Sequence, residues 1–204
     1  MDHVTIAPSI LYVGTPVALL ASENPDGTAN LAPMSSAWAL GQVMVLGLGT
    51  EGQTAANLAV RPDLTISFPA PELWPAVERL APLTGRDPVP ASKPGFRYEP
   101  DKFAAAGLTP APSELVGPPG VAECPLWLEA TAEVRPGADS TFVVVEARVL
   151  RVHADPDIVV PGTQHVDPAR WTPLIYNFRH YFGLGGELGH SFRSETPRMW
   201  SSAP

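Results

Sequence analysis

Leu126-Trp127-Leu128-Glu129-Ala130-Thr131-Ala132-Glu133-Val134-Arg135 is the stretch that decides the fold. Leu126, Leu128, Ala130, Ala132 and Val134 alternate with Trp127, Glu129, Thr131, Glu133 and Arg135, so one face is apolar and the other largely polar. A period of two is the pattern of a half-buried strand. Pro136-Gly137-Ala138-Asp139 then turns the chain, and Thr141 to Val152 returns as a long β-branched run. The pair predicts an antiparallel hairpin.

Upstream, residues 17–68 continue the strand pattern with short connections. Val17 to Ser22 is apolar, Asn24-Pro25-Asp26-Gly27 is turn chemistry, and Thr28 to Ala32 forms a second hairpin arm. Val43 to Leu46 and Leu64 to Phe68 are further strands. Between them Gln53 to Val60 reads as a short helix, with Thr50 and Gln53 at capping-box spacing and Pro62 beyond its end.

Residues 69–120 change character, holding 12 of the 25 prolines. Only Glu72 to Leu80 and Asp101 to Gly107 look helical there. Proline is excluded from central strands, so the stretch reads as an excursion from the sheet. Its Trp74, Phe96, Arg97, Tyr98 and Phe103 imply that it packs over something. Beyond Val152 the chain is aromatic and glycine-rich without a clear period. The expected architecture is mainly β, a small barrel with a few short helices and a Pro-rich excursion, in one domain spanning 1–204.

Composition narrows the function classes. The 204 residues are 45% hydrophobic and 17% charged, which supplies a core and excludes a disordered acidic chain. A net charge of −8, with no basic stripe, argues against nucleic acid or anionic lipid as partner. Cys124 is the single cysteine, so no internal disulfide or cysteine metal cage is available. The apolar N-terminus lacks Lys and Arg and is interrupted by Pro8, Gly14 and Pro16, and no segment has the apolar length of a membrane span. These features predict a cytoplasmic protein.

Gly47-Leu48-Gly49-Thr50-Glu51-Gly52 is a literal G-x-G-x-x-G after a strand and before a helix, with Glu72 about 20 residues on. The helix is too short, and no train of βαβ units follows. The doubly wound sheet that would give the motif its meaning is therefore missing, and the glycines serve a tight strand-to-helix turn. Free N–H groups and the Thr54 hydroxyl at that turn suit a phosphate, although an ordinary capped helix accounts for the segment equally well. Thr54 and Asn57 share a helix face. Ser35-Ser36 offers two hydroxyls after a strand, on its own a common loop pair. There is no G-x-S-x-G, and Gly189-His190-Ser191 has no positioned third member. His153, Asp155 and Asp157 read as a solvated loop rather than a metal site. With no nucleophile, acid–base pair or metal cage, the chain either binds something or borrows its chemistry from a cofactor.

Three segments carry a resemblance: Asn30-Leu31-Ala32-Pro33-Met34-Ser35-Ser36, Gln53-Thr54-Ala55-Ala56-Asn57-Leu58, and Ala122 to Glu129. Together with Asp101 to Leu108 and Pro173-Leu174-Ile175-Tyr176, their order resembles the flavin reductase-like (flavoredoxin-type) family from about Val17 to Phe192. The resemblance implies an FMN-binding split barrel, a homodimer with flavin at or near the subunit interface, and NAD(P)H as electron donor. Ala32–Ser36 would line the ring and ribityl chain, Thr54 and Asn57 would approach the phosphate, and Tyr176, Arg179 and Tyr181-Phe182 would add aromatic and cationic contacts. The implied cofactor set is Asn30, Ala32, Pro33, Met34, Ser35, Ser36, Thr50, Gln53, Thr54, Asn57, Tyr176 and Arg179, with no covalent catalyst and no metal ligand.

Two departures stand out. Gln53 occupies the place where many relatives have Arg or Lys, and residues 1–60 hold neither, so Arg179 or Lys93 becomes the candidate phosphate cation. Phe142-Val143-Val144-Val145-Glu146 replaces the Asp-His pair of the short two-component reductases. An FMN-binding oxidoreductase is therefore expected, with an electron carrier that never meets NAD(P)H as the alternative. A flavin-free interaction protein on the same barrel is the reading from another class.

Overall fold

A computed structural model describes residues 3–189 and Ser191; the end of the resemblance at Phe192 and the residue His190 lie outside the described residues. In chain order, β1 (Val13–Pro16), β2 (Ala18–Glu23), β3 (Ala29–Met34), β4 (Ala37–Leu40) and β5 (Val43–Gly49) lead to α1 (Gln53–Leu58) and β6 (Asp63–Phe68). The excursion carries α2 (Trp74–Leu80), β7 (Leu83–Thr84), β8 (Arg97–Tyr98), α3 (Lys102–Ala106), β9 (Pro110–Ala111) and β10 (Gly120–Val121). β11 (Leu126–Pro136), β12 (Phe142–Ala154), β13 (Ile175–Asn177) and β14 (His180–Phe182) complete the fold.

Seven strands form one antiparallel sheet in the order β3-β2-β6-β11-β12-β5-β4, curled into a half-barrel. The β11–β12 hairpin predicted from the alternation is its longest pairing, from Leu126↔Ala154 to Pro136↔Val143, with a bulge at Glu129/Ala130. β1, β13 and β14 make a separate three-stranded sheet. These strands, and β4, are too short to carry a readable period.

The apolar run of β2 is explained by burial on both faces. Ala18 and Leu20 point into the curl with Leu46, Leu64, Ile66, Leu128, Ala130 and Val145. Leu19 and Ala21 point outward, into a second core with Val77, Leu80, Phe103, Ala106 and Val121 of the excursion. The Pro-rich stretch thus supplies half of a core, but mainly through aliphatic residues: of the side chains that suggested packing only Phe103 is buried, while Trp74, Phe96, Arg97 and Tyr98 are exposed.

Two expectations need correcting. The polar face of β11 does not meet solvent at its start, because Trp127 and Glu129 are buried beneath the excursion. Glu129 is tolerated there because it accepts the backbone N–H groups of Glu114, Leu115 and Val116 at 2.6–3.0 Å and lies 2.6 Å from His153 Nε2. The Thr50/Gln53 capping box does not form either. Gly52 is the N-cap of α1, without a side-chain cap, and Thr50 Oγ1 donates instead to Ser140 O at 2.9 Å.

Candidate functional site

The end of β3 and the two serines after it form one wall of a cleft of about 470 Å³. Ala32, Pro33, Met34, Ser35 and Ser36 line it, and Gly47 lets the chain approach closely: a Cβ there would stand 3.3 Å from Ser36 Cβ. Gly52, Gln53 and Thr54 continue this wall through the strand-to-helix turn. α1 is only six residues long, so its dipole is small and positive charge at this end of the cleft comes from side chains.

Two lysines, Lys93 and Lys102, line the cleft, and Lys102 is the more buried. It is 4% exposed, lines the cleft, and donates to Asn30 Oδ1 at 3.0 Å. Asn30 Nδ2 donates in turn to Thr54 Oγ1 at 3.0 Å, which leaves the Thr54 hydroxyl hydrogen for the cleft. No carboxylate ion-pairs with Lys102 among the described residues; burial first, then the nearby Lys93 charge, pushes its ammonium down to about 8 against the opposing pull of Glu99. An almost fully buried ammonium beside an amide oxygen, with no carboxylate partner among the described residues, is a strong donor toward an anion. α3 presents it. Asp101 Oδ1 caps the helix by accepting from Ala104 N, Gly107 closes it at φ 65°, and Phe103 and Ala106 anchor it in the second core.

A second chain of hydrogen bonds stands behind the first. Gln53 Nε2 donates to Asn57 Oδ1 at 2.7 Å, and Asn57 Nδ2 donates to Ser22 Oγ and Asn24 Oδ1 at 3.1 and 3.0 Å. Asn57 thereby fixes Gln53, and Gly85 packs so closely that a Cβ would fall 2.6 Å from Asn30 Oδ1. The rest of the lining includes aromatic and apolar side chains: Tyr12, Val77, Leu83, Phe96, Tyr176 and Tyr181. The Tyr176 ring lies 5.6 Å from Tyr12 and 5.3 Å from Tyr181, and Tyr181 Oη donates to Glu78 Oε2 at 3.0 Å. Burial, then that carboxylate, pushes the Tyr181 phenol above its ordinary range.

Of the residues singled out in the sequence, Ala32, Pro33, Met34, Ser35, Ser36, Gln53, Thr54 and Tyr176 come together in this cleft. Asn30 and Asn57 stand behind its wall. Thr50 is elsewhere, beside the β11–β12 turn. Arg179 does not line the cleft either; it is exposed on the turn between β13 and β14. Of the two proposed cations only Lys93 reaches the lining, half-buried. Lys102, Tyr12 and Gly85 were missed. The helix pattern of Asp101 to Gly107 was the available signal for Lys102, since it fixes which face the lysine shares with Phe103 and Ala106 only once the helix docks. His153 and Asp155 have structural partners: Glu129, and the Asp157 N–H that Asp155 accepts at 2.9 Å.

Residues 11–185 match the family model described as flavin reductase like domain. The chain belongs to that family. An uncharacterized protein, YdfE, of Bacillus subtilis is 46% identical to this flavin reductase-like chain over 195 residues, 94% of each. Among solved structures, flavoredoxin of Desulfovibrio vulgaris (Miyazaki F) superposes with a TM-score of 0.77 at 22% identity, covering 96% of this chain and 100% of that one. An NADH:FAD oxidoreductase of Streptomyces globisporus gives 0.62 at 15% identity, covering 85% and 87%. The fold of this flavin reductase-like chain is therefore the mainly-β split barrel. Among the described residues no helix is long and apolar enough to cross a membrane.

Proposed function

We infer that the cleft holds FMN and that the protein is an oxidoreductase moving a hydride or electrons between NAD(P)H and that flavin. The observation carrying this is the buried Lys102 ammonium, with no carboxylate ion pair among the described residues, linked through Asn30 to the Thr54 hydroxyl in a cleft that is also lined by tyrosines. A phosphate monoester matches the polar end; a planar ring matches the tyrosines.

FMN, when bound, supplies the two-electron chemistry. The chain's own residues bind and orient. Lys102, Thr54 and Gln53 hold the phosphate; Ser35 and Ser36 offer hydroxyl and backbone donors to the polar edge of the ring; Tyr12, Tyr176 and Tyr181 keep water from it. No side chain acts as a nucleophile. The exposed Trp38 and Leu40 on the edge strand β4 support a homodimer with the partner covering that edge. The setting is cytoplasmic, with NADH or NADPH as donor.

An absorbance scan of the purified protein, followed by anaerobic NADH or NADPH, tests the reading. Bleaching of a bound flavin band is the expected result. A band bleached by dithionite and by neither nucleotide makes the protein an electron carrier, in line with Phe142–Glu146 replacing an Asp-His pair. Absence of any flavin binding overturns the reading outright. Sedimentation at micromolar concentration is expected to give twice 21.7 kDa.

A further inference from the structure

Tyr176 and Tyr181 pair across the β13–β14 hairpin and both line the cleft. The two residues that turn this hairpin, between the Asn177↔His180 pair, are Phe178 and Arg179, at φ 46° and 68°. Two-residue turns with both central residues left-handed are normally made by Asn-Gly, because a Cβ, and a bulky aromatic above all, crowds the backbone there. Neither side chain is buried: Phe178 is 43% exposed, and Arg179 is exposed with no ion-pair or hydrogen-bond partner among the described residues.

The tip is nonetheless held in place. Phe178 N donates to Tyr12 O at 2.8 Å, and Tyr12 itself lines the cleft, its Oη 3.4 Å from Ser36 Oγ. An unfavourable backbone therefore keeps a half-exposed phenyl ring and an exposed guanidinium at the tip of the hairpin that carries the two cleft-lining tyrosines, roughly 7 Å beyond them at strand spacing. The cleft already has its own cations in Lys102 and Lys93, and Arg179 does not line it. A ligand using both tip groups has a second anionic group outside the cleft and a ring to stack: a guanidinium pairs bidentately with phosphate oxygens, and a phenyl stacks on a base.

We propose that Phe178 and Arg179 form an outer subsite for the adenosine diphosphate half of the nicotinamide dinucleotide, Arg179 pairing with the pyrophosphate and Phe178 stacking on the adenine. This rests on the NAD(P)H reading above. Retention of two strained positions then has a function, since strain of this kind persists where binding uses it.

The test replaces the tip with the turn the backbone prefers, Phe178→Asn with Arg179→Gly, in the FMN-loaded protein. ADP-ribose is the probe, because it has no nicotinamide and reports the subsite without hydride transfer. Calorimetric titration is expected to show at least tenfold weaker ADP-ribose binding in the variant, with FMN affinity unchanged and the melting temperature raised. Unchanged ADP-ribose affinity, a lowered melting temperature, or a changed oligomeric state with ADP-ribose binding intact overturns the proposal; the last would make the tip a contact between copies. Wild-type protein that fails to bind ADP-ribose while NADH bleaches its flavin overturns the subsite alone. ADP-ribose binding without bleaching by either nucleotide overturns the reductase reading and leaves the subsite standing.

Discussion

Lys102 and Asn30 meet at 3.0 Å, ammonium to amide oxygen, across 72 residues of chain, and Asn30 passes the contact to Thr54 through its own amide nitrogen. One asparagine therefore orients both the cation and the hydroxyl that face the cleft.

Replacing Lys102 by Met is expected to weaken FMN selectively. A hydrogen bond to a charged group is worth ~1.5–3 kcal/mol, which corresponds to a loss of roughly 10- to 150-fold. Riboflavin, whose ribityl chain ends in a neutral hydroxyl, is expected to bind Lys102→Met as it binds wild type. Unfolding in urea should show no loss of stability without ligand, since the substitution removes a desolvated charge that no carboxylate balances. Fluorescence quenching by both flavins reads the difference.

Thr54→Val tests the other donor. It removes the hydroxyl hydrogen offered to the phosphate and the oxygen that Asn30 donates to, so FMN is expected to weaken by about 10-fold or more. Thr54→Ser keeps both and should restore most of the affinity. If Thr54 only packs under α1, both flavins weaken together and the FMN-to-riboflavin ratio stays at its wild-type value.

The pH dependence follows from burial of Lys102, whose folded-state pKa is lowered from 10.5 to about 8. Between those values the unfolded chain binds the proton and the native protein does not, so the ligand-free protein should gain stability from this group as pH rises from 8 toward 10.5. FMN binding runs the opposite way. The phosphate favours the charged ammonium, so affinity holds below pH 8, falls above it, and carries proton uptake there. Titrations at pH 7, 8.5 and 9.5 check this, and Lys102→Met should flatten the profile.

Glu129→Gln is expected to destabilise the fold by about 3 kcal/mol, seen as an earlier urea midpoint. Its carboxylate accepts three backbone N–H groups and the His153 ring, whereas an amide turns an N–H₂ toward donors. The loop at 114–116 should show faster hydrogen exchange before the rest of the sheet does.

Much of the sheet was legible because its cues are local. The Leu126–Val134 alternation, the turns at Asn24–Gly27 and Pro136–Asp139, and the cap residues Asp101 and Gly107 each act within a few residues, and the structure forms the elements they mark. β1, β4, β13 and β14 escaped notice because strands of three or four residues are too short to show a period, even where, as in β4–β5 and β13–β14, the partner is the next strand in the chain. Local spacing also misled where tertiary partners competed: Thr50 donates to the Ser140 carbonyl in the β11–β12 turn rather than capping α1.

Type and order of residues thus determined a mainly-β chain with Ala32–Ser36 and Gln53–Thr54 as the candidate ligand-binding segments. Only the tertiary structure decided which cations line the cleft beside them, Lys93 and Lys102 but not Arg179. Lys102 lies in an ordinary short helix by sequence, and its chemistry arises when Phe103 and Ala106 bury into the second core and carry the ammonium out of water to Asn30. Arg179 carries the same formal charge, yet the left-handed turn holds it in solvent outside the cleft. Local propensity is a property of neighbours in the chain; desolvation and charge pairing depend on what packs around a group, and that is fixed only when distant segments meet.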